Sequence, residues 1–247
     1  MPKHVLILGG TFEAARLARE AAAAFGDAAR LTVSFAGRVK DLPDLPGGSR
    51  VGGFGGAKGL GDYLKAEHID LVVDATHPFA ARISANAYDA CTRTGVPRLM
   101  LVRPPWEKKG GDRWLEMESP EAAAAALPRI ARRVFLTLGS GGLNAFSAIP
   151  GIWILARVIE LPDPAPAGLT LITGRPPYTV ADERALMEEH RIDTLVAKQS
   201  GGGATEAKIQ AARELGVRVV LIERPLPEPG DAVDTVEGAV AWLGKRI

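Results

Sequence analysis

The sequence has few of the side chains that form disulfides or bind metals. It contains one cysteine, Cys91, and four histidines among 247 residues. A single cysteine excludes an internal disulfide, and the scattered histidines lack the spacing of a zinc site. We therefore expect no metal. Apolar residues make up 47% of the chain, which is enough for a sizeable core.

An excess of charge of one sign is also missing. The 30 basic and 29 acidic residues give a formal net charge of +1, whereas a nucleic-acid-binding domain usually has a strong basic excess. No apolar run approaches the ~20 residues of a membrane span, and the first residues lack the layout of a signal peptide. These absences predict a soluble cytoplasmic protein that binds neither nucleic acid nor a membrane.

Three common catalytic motifs are absent. There is no G-x-S-x-G nucleophile elbow. No tyrosine is followed four residues later by a lysine, as in short-chain dehydrogenases. Lys58 lies near a glycine-rich segment, but no G-K-[ST] sequence is present, which excludes a P-loop nucleotide hydrolase.

The apolar pattern alternates between strand-like and helix-like runs. In the first half, strands are predicted at 5–8, 31–35, 50–51, 71–74 and 98–102, and helices near 12–24, 59–67 and 80–94. Such alternation predicts a parallel sheet covered on both faces. The alternation of strands and helices is interrupted at Arg103-Pro-Pro-Trp106 and then resumes. We predict two Rossmann-like α/β domains, residues 1–106 and 107–247, with a cleft between them.

The second half repeats the scheme. Strands are predicted at 113–117, 134–138, 153–157, 170–173, 194–198, 217–222 and 233–235. Helices are predicted at 143–148, 180–190, 205–215 and 236–243.

The turn Asp74-Ala-Thr-His-Pro78 joins a predicted strand to a predicted helix. Pro78 suits the first helical turn, and ligands of open α/β sheets bind where strands end and helices begin. His77 is therefore a candidate for positioning a substrate or supplying a proton, and Thr76 for binding a cofactor. The alternative is a buried turn in which Asp74 and Thr76 cap the helix.

Glycine-rich turns follow the first three predicted strands. The first opens a helix, whose unpaired N–H groups suit a phosphate, although the full G-x-G-x-x-G pattern is absent. The second ends in an arginine without a nearby acidic residue, which favours NADP over NAD. The alternatives are tight turns and a solvent-facing arginine. The candidate cofactor-binding residues are Gly9, Gly10, Thr11, Ser34, Gly37, Arg38 and Gly55.

A lysine- and glycine-containing turn lies at the corresponding place in the second half. Lys198 can bind an anion directly, while Ser200 and Gly201 offer hydroxyl and backbone donors; a flexible connector is the alternative. Arginine pairs well with carboxylates, and Arg82 is one such residue near a strand–helix junction. The predicted substrate-binding residues are Arg16, Arg157, Arg175 and Lys198, with Ser200 and Gly201 assigned to the cofactor.

Together these segments resemble the precorrin-6A reductase family of cobalamin biosynthesis. The resemblance spans nearly the whole chain, and its most specific segment is Asp74-Ala-Thr-His-Pro-Phe-Ala80. The other matching segments are Leu8-Gly-Gly-Thr-x-Glu13, Ser34-x-Ala-Gly37, Gly52-Gly-Phe-Gly-Gly56, Arg103-Pro-x-Trp106, Lys198-x-Ser-Gly-Gly202 and Ile222-Glu-Arg-Pro225.

The resemblance implies NADPH-dependent reduction of one double bond of the tetrapyrrole precorrin-6A to give precorrin-6B. It also implies two Rossmann-like domains that exchange a strand, and hand-over of product to other enzymes of the pathway. Two alternatives remain open: an NADP-dependent oxidoreductase acting on another anionic small molecule, and a nucleotide-sensing protein without turnover.

Overall fold

The computed structural model describes residues 1–35, 37 and 44–247, which form two compact units. The first unit contains Met1–Pro104 and Pro225–Ile247, and the second contains Pro105–Arg224. The predicted boundary at residue 106 is close to the observed one. The last part of the predicted second domain, however, belongs to the first unit, because it pairs with the first sheet.

The secondary structure of the described residues follows the predicted βα alternation. The strands are β1 (Lys3–Leu8), β2 (Ala29–Phe35), β3 (Gly48–Val51), β4 (Leu71–Asp74), β5 (Arg98–Leu101), β6 (Trp114–Met117), β7 (Arg133–Leu136), β8 (Trp153–Val158), β9 (Leu169–Thr173), β10 (Thr194–Lys198), β11 (Arg218–Ile222) and β12 (Asp231–Val233). The α-helices are α1 (Phe12–Phe25), α2 (Gly56–Ala66), α3 (Ala81–Thr94), α4 (Pro120–Ile130), α5 (Val180–Glu189), α6 (Ala207–Glu214) and α7 (Val236–Gly244).

Two predictions of helices differ from the structure. Helix α4 was not predicted, although Ser119 accepts a hydrogen bond from the Ala122 N–H and Pro120 occupies the first turn, which is a typical helix start. The helix predicted at 143–148 is only the 3₁₀ turn Asn144–Phe146. None of the helices within the described ranges combines the length and apolar character of a membrane crossing.

Both sheets are parallel, six-stranded and built on one plan. Their strand orders are β12-β5-β4-β1-β2-β3 and β6-β11-β10-β7-β8-β9. The first sheet combines β1–β5 with the distant β12, whereas the second is built from the consecutive strands β6–β11. Strand β6 follows β5 along the chain but pairs with β11, whereas β12 follows β11 but pairs with β5. This arrangement confirms the Rossmann-like fold and the exchanged strand.

The C-terminal segment completes the apolar core of the first unit. Val236, Ala239, Trp242 and Leu243 of α7 pack in one cluster with α1 and with the apolar residues of β1 and β2. The Trp242 indole also donates to the Asp231 carboxylate at 2.7 Å, which ties α7 to β12. The first unit therefore depends on residues at both ends of the chain.

Replacing Leu243 by Ala tests this dependence. Leu243 is 0% exposed, whereas Leu226 in the same segment is 92% exposed. We expect Leu243→Ala to lower the free energy of unfolding by about 2–5 kcal/mol through loss of buried contacts. Leu226→Ala should change it by less than about 0.5 kcal/mol. Urea unfolding measures both, and equal effects would contradict the packing role of α7.

Candidate functional site

The centre of the first sheet is a topological switch point. From β1 the chain builds β2 and β3 on one side and β4 and β5 on the other. Leu8 and Asp74, at the carboxyl ends of β1 and β4, lie opposite each other. The connections that follow these two strands diverge, and in open α/β sheets ligands bind in the crevice this leaves.

The turn after β1 is held close to its neighbours. The Gly9 N–H donates to the Ser34 carbonyl at 2.8 Å, and the Thr11 hydroxyl donates to the Ala75 carbonyl at 2.7 Å. The same hydroxyl accepts from the Ala14 N–H and caps α1. A Cβ on Gly9 would lie 3.0 Å from Val33. The turn thus brings the amino end of α1 to the crevice without intervening side chains.

A second glycine turn, residues 52–56, follows β3. Gly52, Gly55 and Gly56 have φ angles of +115°, +79° and +88°, which residues other than glycine rarely adopt. Arg50 braces this turn, because its Nη1 donates to the Ser34 hydroxyl at 2.8 Å and to the Gly52 carbonyl at 2.9 Å. Its guanidinium also stacks 3.8 Å from the centre of the Phe54 ring.

These turns enclose a pocket of about 450 Å³. It brings together four of the predicted cofactor-binding residues: Gly9, Ser34, Gly55 and Thr76. Helix α3 contributes Arg82, Ile83 and Asn86. Gly10 and Thr11 lie in the turn beside Gly9, and Gly37 is exposed beyond β2. Arg38 lies outside the described residues.

Asp74 organises the turn after β4. Its Oδ1 accepts from the Thr76 hydroxyl at 2.7 Å and from the Thr76 N–H at 3.2 Å. Its Oδ2 is buried and has no hydrogen-bond partner among the described residues. The capping alternative is wrong, because α3 begins after Ala80 without a side-chain cap. Thr76 instead lines the pocket, with its hydroxyl oriented by Asp74.

His77 lies half-buried in the same turn. The Phe79 N–H donates to its Nδ1 at 3.2 Å. Because Nδ1 accepts a hydrogen bond, the proton of the neutral imidazole is on Nε2. The geometry thus favours one tautomer of the neutral His77 ring.

The turn after β10 occupies the equivalent place in the second sheet, where β10 pairs with the central strand β7. The Lys198 amine donates to the Leu138 carbonyl at 2.8 Å, and burial lowers the pKa of Lys198. Ser200 is buried, and Gly201 has a φ of +64°. Thus Lys198, Ser200 and Gly201 lie at the carboxyl edge of the second sheet, as predicted.

The predicted substrate-binding arginines have protein partners. Arg157 and the buried Glu183 form a two-pronged ion pair at 2.6 and 3.3 Å. Arg16 pairs with Glu20 and Glu237. Exposed Arg175 lies 3.6 Å from Glu160. A substrate carboxylate would compete with these acids, most severely at Arg157, so the binding role of all three stays a prediction.

The Arg103–Trp106 segment of the resemblance contacts two of its other segments. Arg103 and Glu13 form an ion pair at 2.7 Å in the first unit. In the second unit, the Trp106 indole donates to the Gly202 carbonyl at 3.0 Å. The Gln199 side-chain amide accepts a hydrogen bond from the Trp106 N–H and donates one to the Trp106 carbonyl. These segments, distant in sequence, therefore support one another in space.

Comparison with known proteins agrees with this architecture. A family model described as Precorrin-6x reductase CbiJ/CobK matches residues 4–244. The chain belongs to this family. A Precorrin-6A reductase of Rhodococcus erythropolis is 50% identical over 244 residues, covering 98% of this chain and 97% of that protein. A Precorrin-6A reductase of Rhodobacter capsulatus is 44% identical over 243 residues, covering 97% and 95%.

A solved structure of the same family has the same fold. The structure titled CobK precorrin-6A reductase superposes with a TM-score of 0.90 at 43% identity, covering 98% of this chain and 96% of that one. The family membership and the Rossmann-like fold expected from the sequence are confirmed. The part of the chain that the structure describes contains no group of three or more His, Cys, Asp or Glu side chains able to hold a metal ion.

Gly59 gives a test of the pocket's glycine turn. A Cβ on Gly59 would lie 1.8 Å from the Phe54 carbonyl, whereas a Cβ on Gly61 meets nothing closer than 3.6 Å. Both lie in α2. We expect Gly59→Ala to displace the 52–56 turn and to lower the free energy of unfolding by about 1–3 kcal/mol.

The matched control, a glycine-to-alanine change at Gly61, should change the free energy of unfolding in the opposite direction. Gly61→Ala should raise the free energy of unfolding by about 0.5–1 kcal/mol, because Ala favours a helix over Gly. Denaturant unfolding monitored by circular dichroism measures both variants. Stabilisation by Gly59→Ala would contradict the close packing of the turn against α2.

Proposed function

We propose that the chain reduces one C=C bond of precorrin-6A with NADPH, giving precorrin-6B. The main support is the glycine-lined pocket at the switch point of the first sheet, in a chain of the precorrin-6x reductase family. The cytoplasmic location and the hand-over of product expected from the sequence are part of the same proposal.

The residues of the pocket fit a dinucleotide phosphate. At Gly10, Gly52 and Gly55 a Cβ would meet no atom of the described residues within 4 Å, so the backbone is open to a ligand there. Backbone N–H groups at the start of α1 suit a diphosphate, and Arg82 adds a positive charge to the pocket lining. Ser200 and Gly201, in the second unit, stay candidates for a further cofactor contact.

Arg50 supports NADP rather than NAD. It bonds Ser34 at the end of β2, the place where dinucleotide-binding folds recognise the ribose 2′ substituent. No carboxylate pairs with Arg50 in the described part of the chain. We propose that Arg50 and Arg38 together bind the 2′-phosphate.

The reaction requires a hydride and a proton. The bound nicotinamide supplies the hydride to one carbon of the double bond. We propose that His77, in its protonated imidazolium form, supplies the proton to the neighbouring carbon from Nε2 and is left as the neutral imidazole. Thr76, whose hydroxyl donates to Asp74, would orient the cofactor in the pocket.

Lys198 is the favoured substrate-binding cation. Precorrin-6A carries several acetate and propionate groups, and an ammonium attracts such carboxylates directly. Arg16, Arg157 and Arg175 are proposed as weaker contributors, because each has an acidic partner in the structure.

The direct test is an anaerobic assay of purified protein with precorrin-6A and NADPH. We expect equimolar oxidation of NADPH and a product heavier by two hydrogens. Turnover with another anionic substrate but never with precorrin-6A would favour the alternative oxidoreductase. Cofactor binding without oxidation by any candidate substrate would favour a nucleotide sensor.

Cofactor preference is expected to depend on two arginines. Arg38→Ala and Arg50→Gln should each raise the KM for NADPH by about tenfold through loss of a charge-assisted hydrogen bond. The KM for NADH should change little. Arg30→Gln, an exposed change at the far end of β2, controls for net charge. An equal rise in KM for NADPH and NADH would contradict the assignment of these arginines to the 2′-phosphate.

His77→Asn separates proton supply from structure. The Asn carbonyl can still accept from the Phe79 N–H but cannot donate a titratable proton. We expect kcat to fall by about 10²–10⁴-fold, with the KM for NADPH unchanged. Steady-state kinetics across pH give the readout. A variant that keeps the wild-type kcat and pH profile would show that His77 is structural.

Lys198 should make substrate binding pH-dependent. Burial lowers its pKa, so the ammonium charge is lost at a lower pH than in an ordinary lysine. The substrate KM should therefore rise as pH increases through that lowered pKa. Lys198→Arg should move the rise to higher pH, and Lys198→Met should give a high KM throughout. An identical profile for wild type and Lys198→Met would contradict this role.

A further inference from the structure

An arginine-rich pocket lies at the amino edge of the second sheet, opposite the edge that carries Lys198. It has a volume of about 400 Å³ and is lined by Arg113, Arg129, Arg132, Arg218 and Asp193. The strand order β6-β11-β10-β7 explains the cluster. Arg113 precedes β6, Arg218 begins β11 and Arg132 precedes β7, so they lie along one edge. Arg129 is in the last turn of α4, which connects β6 to β7.

The four guanidinium groups have no acidic side-chain partner within the described residues. None of them forms an ion pair. Asp193 does not neutralise them, because its Oδ2 accepts the backbone N–H groups of Arg132 and Arg133 at 2.9 and 3.0 Å. The Asp193 carboxylate and the negative half charge at the carboxyl end of α4 offset part of the four arginine charges. The pocket keeps a net charge of about +2.5.

Capping of α4 accounts for only part of the cluster. Arg132 Nη1 donates to the carbonyls of Pro128 and Ala131, and Arg218 Nη1 donates to the Ile130 carbonyl. Arg113 Nη1 instead bonds the Gly216 carbonyl at 3.1 Å. Three guanidinium groups are therefore fixed through one nitrogen, which leaves their other N–H groups for a ligand. Neither Arg113 nor Arg129 is needed for the cap.

We propose that this pocket binds a phosphoryl anion with at least two negative charges, such as a diphosphate. A carboxylate offers its acceptor sites in one plane, whereas a tetrahedral phosphoryl group accepts hydrogen bonds from several directions. Four guanidinium groups from four separate points of the chain therefore suit a phosphoryl group better than a carboxylate. The site lies in the second unit and is distinct from the glycine-lined pocket of the first.

The test is isothermal titration calorimetry with inorganic diphosphate at low salt. Each titration is run with and without NADP⁺, because NADP⁺ competes at the glycine turns but itself carries phosphoryl groups. We expect binding at this pocket in the millimolar range or tighter, weakened by salt because three of the four arginines are exposed. Arg113→Gln with Arg129→Gln should lower the affinity by about tenfold, equivalent to about 1.4 kcal/mol. This pair leaves the bonds that cap α4 intact.

The matched control is Arg19→Gln with Arg93→Gln, two exposed arginines of the first unit with the same loss of charge. Wild-type affinity in the control supports the proposal. Equal weakening in both double variants would show an effect of net charge alone and would overturn it. Absence of diphosphate binding to the wild type would overturn it too. Tighter binding of an oligoglutamate peptide, lost in the Arg113/Arg129 variant, would replace the phosphoryl ligand by an acidic protein partner.

Discussion

The parallel pairing of β1 with β4 is the constraint on which the candidate site depends. It sets Leu8 against Asp74, so that the Gly9 turn and the Asp74–Pro78 segment leave the sheet side by side. The contacts of the Gly9 turn follow from this register together with the pairing of β1 with β2. Thr11 reaches the Ala75 carbonyl, and Gly9 reaches the Ser34 carbonyl on the other side. A shift of one residue would turn Asp74 and Leu8 to opposite faces of the sheet.

The strand exchange adds a second constraint, on stability. The outermost strand and last helix of the first unit come from the C-terminal end of the chain. The core around α1 is complete only after the C-terminal segment has been synthesised and β12 has paired with β5. Contacts so distant in sequence carry a high entropic cost of closure, which slows folding. The first unit therefore cannot be treated as an independent domain of residues 1–106.

Local patterns in the sequence predicted most of the fold and part of the site. Buried parallel strands are almost continuously apolar, and the glycine turns follow them directly, so Gly9, Ser34, Gly55 and Thr76 could be found by position. Arg50 was missed because its partner Ser34 is brought to it only by the pairing of β2 with β3. Arg157 and Arg16 were interpreted as free cations, since nothing local shows that Glu183 and Glu237 reach them. The C-terminal segment was misassigned for the same reason: a β-α pattern does not say which sheet it joins.

The central claim is that the glycine turns of the first unit hold the cofactor. Amide chemical-shift mapping by NMR with NADP⁺ tests it most directly, because the backbone N–H groups of these turns are the proposed ligands. We expect the largest shifts at Gly9, Gly10, the 52–56 turn and Thr76. Shifts confined to the second unit, with the Gly9 and 52–56 amides unmoved, would contradict it.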